Sequence, residues 1–287
     1  TRRSTPTVWG DSRMASTGKI NVTYPTVVDR AYQEYKRHRK VSDIMSSGVV
    51  ITTPQTSMIE AARIMGERRI GSLVVVRYGT PVAIVTERDL LSKVFAADLD
   101  PADVSVEDVM SFPLIRVCPD IEIREAARTM IRKKGRLTVF ACGELCGIIT
   151  ASDLIREMPD ARETSMTVND FMTKDVVYVG EDEKISDVVR IMGTERIGSV
   201  IVTTGGNPSG IFTERDLLST LMARGAALDV PVGEVARSPL ISAPAGISIH
   251  KAARIMAENH IRRLLIIKRK RIAGIITARD LVEAYAL

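Results

Sequence analysis

Apolar positions along this chain change period at regular intervals. Val49-Val-Ile-Thr52 is a short β-branched run. Met58, Ala61, Ala62 and Met65 then recur at helical spacing. They predict one apolar helix face, opened by Ser57-Met-Ile-Glu60, which has the spacing of a capping box. Leu73-Val-Val-Val76 predicts a strand, Tyr78-Gly-Thr-Pro81 a turn, and Val82-Ala-Ile-Val85 a returning strand. From Glu87 to Phe95 the pattern is helical again. The unit is β-α-β-β-α, and Ile185, Val188, Val189 and Met192 restate its helical phase further along.

The returning strand ends four times in one phrase, Thr-x-x-Asp-Leu. The copies are Thr86-Glu-Arg-Asp89, Thr150-Ala-Ser-Asp153, Thr213-Glu-Arg-Asp216 and Thr277-Ala-Arg-Asp280, each followed by Leu. A self-similar chain is read by its repeats. A longer period is cleaner: Asp43 and Asp170, Arg63 and Arg190, and Gly71 and Gly198 are each 127 residues apart. Ala126-Ala-Arg-Thr-Met130 likewise answers Ala252-Ala-Arg-Ile-Met256. One residue is missing from the second repeat, between Met130 and Leu137. The chain is therefore a duplicated pair, A-B-A′-B′.

A chain of 287 residues suits about two domains. A unit with three strands is marginal alone, so two units are expected to pack sheet to sheet, each pair with its own core. The repeats fall at residues 41–105, 106–158, 168–230 and 231–287. Residues 159–167 are polar and predict a linker between the pairs. Residues 1–40 match no repeat. Residues 1–25 are rich in Thr, Ser and Gly and are expected to lack order, while Val27, Val28, Ala31, Tyr32 and Tyr35 predict an amphipathic helix.

Composition narrows the classes. Hydrophobic content of 45% and charged content of 26% are ordinary for a globular protein. No apolar run reaches the length of a membrane span and no signal peptide is visible, so a cytoplasmic protein is expected. Three cysteines make no disulfide framework, and Cys142 and Cys146 lack a second pair for a zinc site. His38, His250 and His260 stand at no metal spacing and beside no nucleophile, and there is no glycine-rich phosphate loop. Nothing marks an enzyme. The net charge of +5 admits anionic partners, nucleic acid among them, but one Trp and five Phe offer little base stacking.

Thr-x-x-Asp sets a hydroxyl at a strand end and a carboxylate in the first turn of a helix. It can be a capping device alone. It can also hold a ligand: the helix start suits a phosphate, and a carboxylate accepts from the vicinal hydroxyls of a ribose. Arg88, Arg215 and Arg279 precede the Asp in three copies, and Ser152 in the second. Such an Arg can face solvent or pair with an anion. Before the middle strand, odd repeats carry Gly71-Ser72 and Gly198-Ser199, whereas even repeats carry Gly135-Arg136 and Arg262-Arg263.

The repeated strand-Thr-x-x-Asp-Leu ending resembles that of CBS domains, the regulatory modules named after cystathionine β-synthase. Asp43-Ile-Met45, Asp108-Val-Met110 and Asp170-Phe-Met172 add to the likeness; the fourth repeat departs there with Glu234-Val-Ala236. The resemblance covers residues 41 to 287. It implies an α/β (α+β) fold of four CBS repeats packed as two pseudo-twofold Bateman modules forming a disk. That architecture is similar to the γ subunit of AMP-activated protein kinase.

The resemblance further implies adenosine-containing ligands in the clefts between paired repeats. Thr86 and Asp89 would then work with Arg136, and Thr213 and Asp216 with Arg262 and Arg263. Thr150/Asp153 and Thr277/Asp280 would face the Gly-Ser elements, with Arg279 adding charge. The expected protein is a regulatory sensor of AMP, ADP or ATP with no obligatory cofactor. It would act on a regulated protein partner and can form a homo-oligomer. An S-adenosylmethionine sensor and a nucleic-acid binder are the alternatives.

Overall fold

The computed structural model describes residues 39–157 and 165–287. The helix expected over Val27 to Tyr35 and most of the linker between the pairs lie outside them. Each repeat builds one three-stranded sheet. These are β1 (Ile51–Thr52), β2 (Ser72–Arg77) and β3 (Thr80–Thr86); β4 (Arg116–Val117), β5 (Leu137–Ala141) and β6 (Glu144–Ile149); β7 (Tyr178–Gly180), β8 (Ser199–Thr204) and β9 (Asn207–Thr213); and β10 (Ser242–Pro244), β11 (Arg263–Lys268) and β12 (Arg271–Thr277). The first strand of each sheet runs parallel to the second, and the second and third form an antiparallel hairpin. A parallel pair needs a crossover, and the amphipathic helices Met58–Arg68, Ile123–Lys133, Ile185–Thr194 and Ile249–Glu258 supply it.

The expected apolar helix face is buried in all four units. Met58, Ala61, Ala62 and Met65 in repeat 1 match Ile185, Val188, Val189 and Met192 in repeat 3. The cores, however, do not follow the pairs. One core joins the helical faces of repeats 1 and 3, with Leu73, Val85, Leu91, Val200, Phe212 and Leu218 inside it. The other joins repeats 2 and 4. The expectation of one core per pair is thus corrected: the helices carry the continuous apolar stripes, and the stripes of one pair are buried against those of the other, while Val74, Ile201 and Leu265 are buried on strands outside both cores. Ile84, Ile201 and Ile275 of the sheets and Ile115, just before β4, line a cavity.

Within each pair the repeats exchange their leading segments. Val41 and Ile44, which open repeat 1, lie in the core of repeats 2 and 4. Val106 and Val109, which open repeat 2, lie in the other core. Ser46 is bridged to Ile148 and Ser111 to Ile84; Thr173 to Ile275 and Arg237 to Ile211 repeat the arrangement in the second pair.

Repeats 1 and 3 approach closely at two glycines. A Cβ on Gly66 would overlap the carbonyl oxygen of Leu218, and one on Gly193 the carbonyl oxygen of Leu91. Both carbonyls belong to helices that follow the Thr-x-x-Asp phrase. The helix predicted over Glu87 to Phe95 is an α-helical turn, Glu87–Asp89, then a π-helical turn, Leu90–Val94, and a 3-10 turn, Phe95–Ala97. Repeat 3 does the same at Leu217–Leu221. Widened turns of this kind commonly occur at tight packing and at functional positions.

The residue missing from repeat 2 is now located. The crossover helices of repeats 1, 3 and 4 are followed by a left-handed residue, Arg69, Arg196 or His260, and then by Ile70, Ile197 or Ile261. In repeat 2 the left-handed Lys134 leads straight into Gly135 and Arg136. The isoleucine has no counterpart there.

Candidate functional site

Each Thr-x-x-Asp phrase forms a reciprocal cap. One carboxylate oxygen of Asp89 accepts from the Thr86 amide at 2.9 Å and its hydroxyl at 2.7 Å. The same pair of bonds joins Asp153 to Thr150, Asp216 to Thr213 and Asp280 to Thr277. The capping role is therefore real in every repeat, and it uses one oxygen of each carboxylate.

The second oxygen separates the four. That of Asp89 receives the Lys93 ammonium at 2.7 Å and faces the Ser111 hydroxyl at 3.4 Å. That of Asp153 receives Arg156 at 2.7 Å, and that of Asp216 is held by Arg237. No hydrogen bond or ion pair from a described residue reaches the second oxygen of Asp280. Burial raises the pKa of its carboxyl, against the lowering effect of Thr277 and Arg279. Replacing Asp153 by alanine is accordingly expected to cost about 1–2 kcal/mol as a lost cap. Chemical denaturation reads that loss directly.

A cavity of about 1290 Å³ lies where the four repeats meet. It takes in Thr86, Arg88 and Asp89 of repeat 1, Arg136 and Thr150 of repeat 2, Glu214 of repeat 3, and Arg262, Arg263, Thr277, Arg279 and Asp280 of repeat 4. Asp153, Thr213, Arg215 and Asp216 stand outside this lining. Ten basic side chains against six acidic ones line it, so the cavity attracts anions.

Two buried glutamates organise the basic side chains. Glu87 accepts from Arg136 at 3.1 Å and from Arg262 at 3.2 Å. Glu214 accepts from Arg263 at 2.6 Å and lies 3.8 Å from Arg88. Arg136–Glu87 and Arg263–Glu214 act within a pair, whereas Arg262–Glu87 and Arg88–Glu214 cross between pairs. Burial pushes the Glu214 carboxyl up, but Arg263, Arg88 and Arg136 outweigh it and hold the group below its ordinary value. Its contribution to stability is thus present above the unfolded pKa and is lost as pH falls. Burial lowers the pKa of Arg262 and of Arg215, and their neighbouring guanidiniums add to the effect.

This geometry revises the pairing expected from sequence. Arg136 does come to the first cleft despite the missing residue, but through Glu87. Arg263 comes to the third repeat through Glu214. Arg262, expected beside Thr213 and Asp216, reaches across to Glu87 of repeat 1 instead. Sequence reasoning missed Glu87 and Glu214. The signal was present: odd repeats read Thr-Glu-Arg-Asp, even ones Thr-Ala-x-Asp.

A family model described as CBS domain matches residues 41–96, 106–160, 168–223 and 232–287. The chain belongs to the CBS domain family. It is 30% identical over 268 residues to protein MJ1404 of Methanocaldococcus jannaschii, covering 86% of this chain and 62% of that protein's length. It is 31% identical over 115 residues to the CBS domain-containing protein YhcV of Bacillus subtilis, covering 40% of this chain and 82% of YhcV. The crystal structure of protein MJ1225 from Methanocaldococcus jannaschii superposes with a TM-score of 0.70 at 25% identity, covering 86% of this chain and all of that one. That protein is described as a candidate archaeal homologue of γ-AMPK. No helix among the described residues is long and apolar enough to cross a membrane.

Proposed function

We propose that this chain is a regulatory sensor of adenine nucleotides, AMP, ADP or ATP, held in the cavity shared by its four repeats. The carrying observation is Asp280, which lines the cavity beside Thr277 and whose second carboxylate oxygen has no hydrogen-bond or ion-pair partner among the described residues, while its three equivalents are engaged by Lys93, Arg156 and Arg237. A carboxylate with one oxygen fixed in a cap and the other open suits the vicinal hydroxyls of a ribose. The arginines around Glu87 and Glu214 suit its phosphates. The likeness to a protein described as related to γ-AMPK supports the same reading.

Signalling follows from the cross-pair contacts. A phosphate competing for Arg262 or Arg88 weakens a link between the two pairs, and a ligand that does so binds one arrangement better than the other. A protein partner reading that arrangement completes the regulatory role, at a cytoplasmic location.

The test is calorimetric titration of the full chain with AMP, ADP, ATP and S-adenosylmethionine. Saturable binding of an adenine nucleotide is expected, weakened at least about tenfold by Asp280→Asn, or roughly 1.4 kcal/mol. Equal affinity in the two proteins would remove Asp280 from the site. Affinity should also decline as pH drops through the raised titration range of Asp280, since ribose hydroxyls donate to the ionised form. The Asp280→Asn chain should lack that decline.

A further inference from the structure

The geometry points to Phe112 as a stacking face for a planar heteroaromatic ring in the cleft beside Thr86 and Asp89. This assignment rests on the nucleotide reading and gives that cleft its own means of recognising a base.

Phe112 is 73% exposed, yet it lines the shared cavity. The other four phenylalanines, Phe95, Phe140, Phe171 and Phe212, are buried or half-buried. Among the described residues the other large exposed aromatics are Tyr78 and Tyr178, and both stand outside the cavity. An aromatic ring left open on a cavity wall forgoes burial unless something covers it.

Its placement is fixed by the backbone. The exchanged segment runs antiparallel to β3, with the Ser111 amide donating to the Ile84 carbonyl at 2.8 Å and the Ile84 amide to Ser111 at 3.0 Å. The Ser111 hydroxyl faces Asp89. Phe112 is the next residue, and Pro113 follows it. Phe112 therefore follows directly the serine whose hydroxyl meets Asp89, and it lines the same cavity as Thr86 and Asp89. Ile84 and Ile115 line the same wall, and Arg88 and Arg136 share the cavity.

The other three repeats have no such ring. The corresponding residues are Ser47, Lys174 and Ser238. Facing Asp216, the segment presents Arg237 and Ser238, and Arg237 closes on the carboxylate. The cleft of repeat 1 thus offers an aromatic face where that of repeat 3 offers a guanidinium. Base–aromatic stacking tolerates many bases because every base has a π-face, so the ligand class is a nucleotide of any base.

The experiment titrates the full chain and its Phe112→Ala, Phe112→Leu and Phe112→Trp variants with ATP and with tripolyphosphate, which has no base. ATP affinity at one site should fall about tenfold in Phe112→Ala and nearly as much in Phe112→Leu, which keeps apolar volume without a ring face. Tripolyphosphate affinity should not move. In Phe112→Trp, ATP should quench the added indole fluorescence, measured against the unsubstituted chain, and tripolyphosphate should not. Unchanged ATP affinity in Phe112→Ala, or unquenched fluorescence in a Phe112→Trp chain saturated with ATP, overturns the stacking role while leaving the sensor reading standing. A wild-type chain that takes no nucleotide overturns both.

Discussion

Replacing Gly193 by leucine is expected to lower the midpoint of thermal unfolding by about 6–12 °C. The new side chain meets the Leu91 carbonyl, and neither partner is a flexible tip that can step aside. Overpacking of this kind costs about 3 kcal/mol or somewhat more, and each kcal/mol moves the midpoint by roughly 2–4 °C in a chain approaching this size. Gly66→Leu should behave alike through Leu218. The control is Ala257→Leu, at the matching helix position of repeat 4, where the residue is half-buried and not a glycine. A loss there as large as at Gly193 would mean that the two cores are equally tight, against the close approach specific to repeats 1 and 3. Scanning calorimetry reads all three variants.

Glu87→Gln should change two properties in opposite directions. Glu87 is the anion that Arg136 and Arg262 share, and all three side chains are largely buried. Removing its charge leaves two buried guanidiniums under-compensated, which should destabilise the unliganded chain by about 3 kcal/mol. It also removes the internal competitor for those guanidiniums. ATP affinity should then rise about tenfold, or roughly 1.4 kcal/mol. The thermal midpoint falls without ligand and recovers more steeply with it. Calorimetric titration at fixed ionic strength measures the affinity. An affinity that stays constant or falls in Glu87→Gln would show that Arg136 and Arg262 serve only to join the repeats.

The sequence made the repeat unit legible because each element has a local cause. Met58, Ala61, Ala62 and Met65 mark the helix by spacing, and Thr86 and Asp89 mark its successor by cap chemistry. All four caps form as that spacing requires. What was not legible depends on residues far apart. Nothing local tells Val41 to cross into the core of repeats 2 and 4, or the stripe of repeat 1 to seek that of repeat 3 rather than repeat 2. Gly66 and Gly193 did carry a trace of it, since a glycine inside a good helix is costly without a reason. The partners of Asp89, Asp153 and Asp216 come from Lys93, Arg156 and Arg237, none of which belongs to the repeated phrase. Their engagement, and so the distinctness of Asp280, lay beyond the motif.

The cross-pair cores bear on how such a molecule can be assembled at all. One pair taken alone would present two apolar helical faces to water, and a second copy of the same pair is the surface that fits them. The chain has the form of a symmetric dimer whose subunits have been fused end to end. Fusion replaces a bimolecular association by an intramolecular one, so the central cavity forms at any protein concentration. It also lets the two halves diverge. Arg262 has no counterpart in repeat 2, Phe112 none in repeat 4, and a homodimer could carry neither on one side alone.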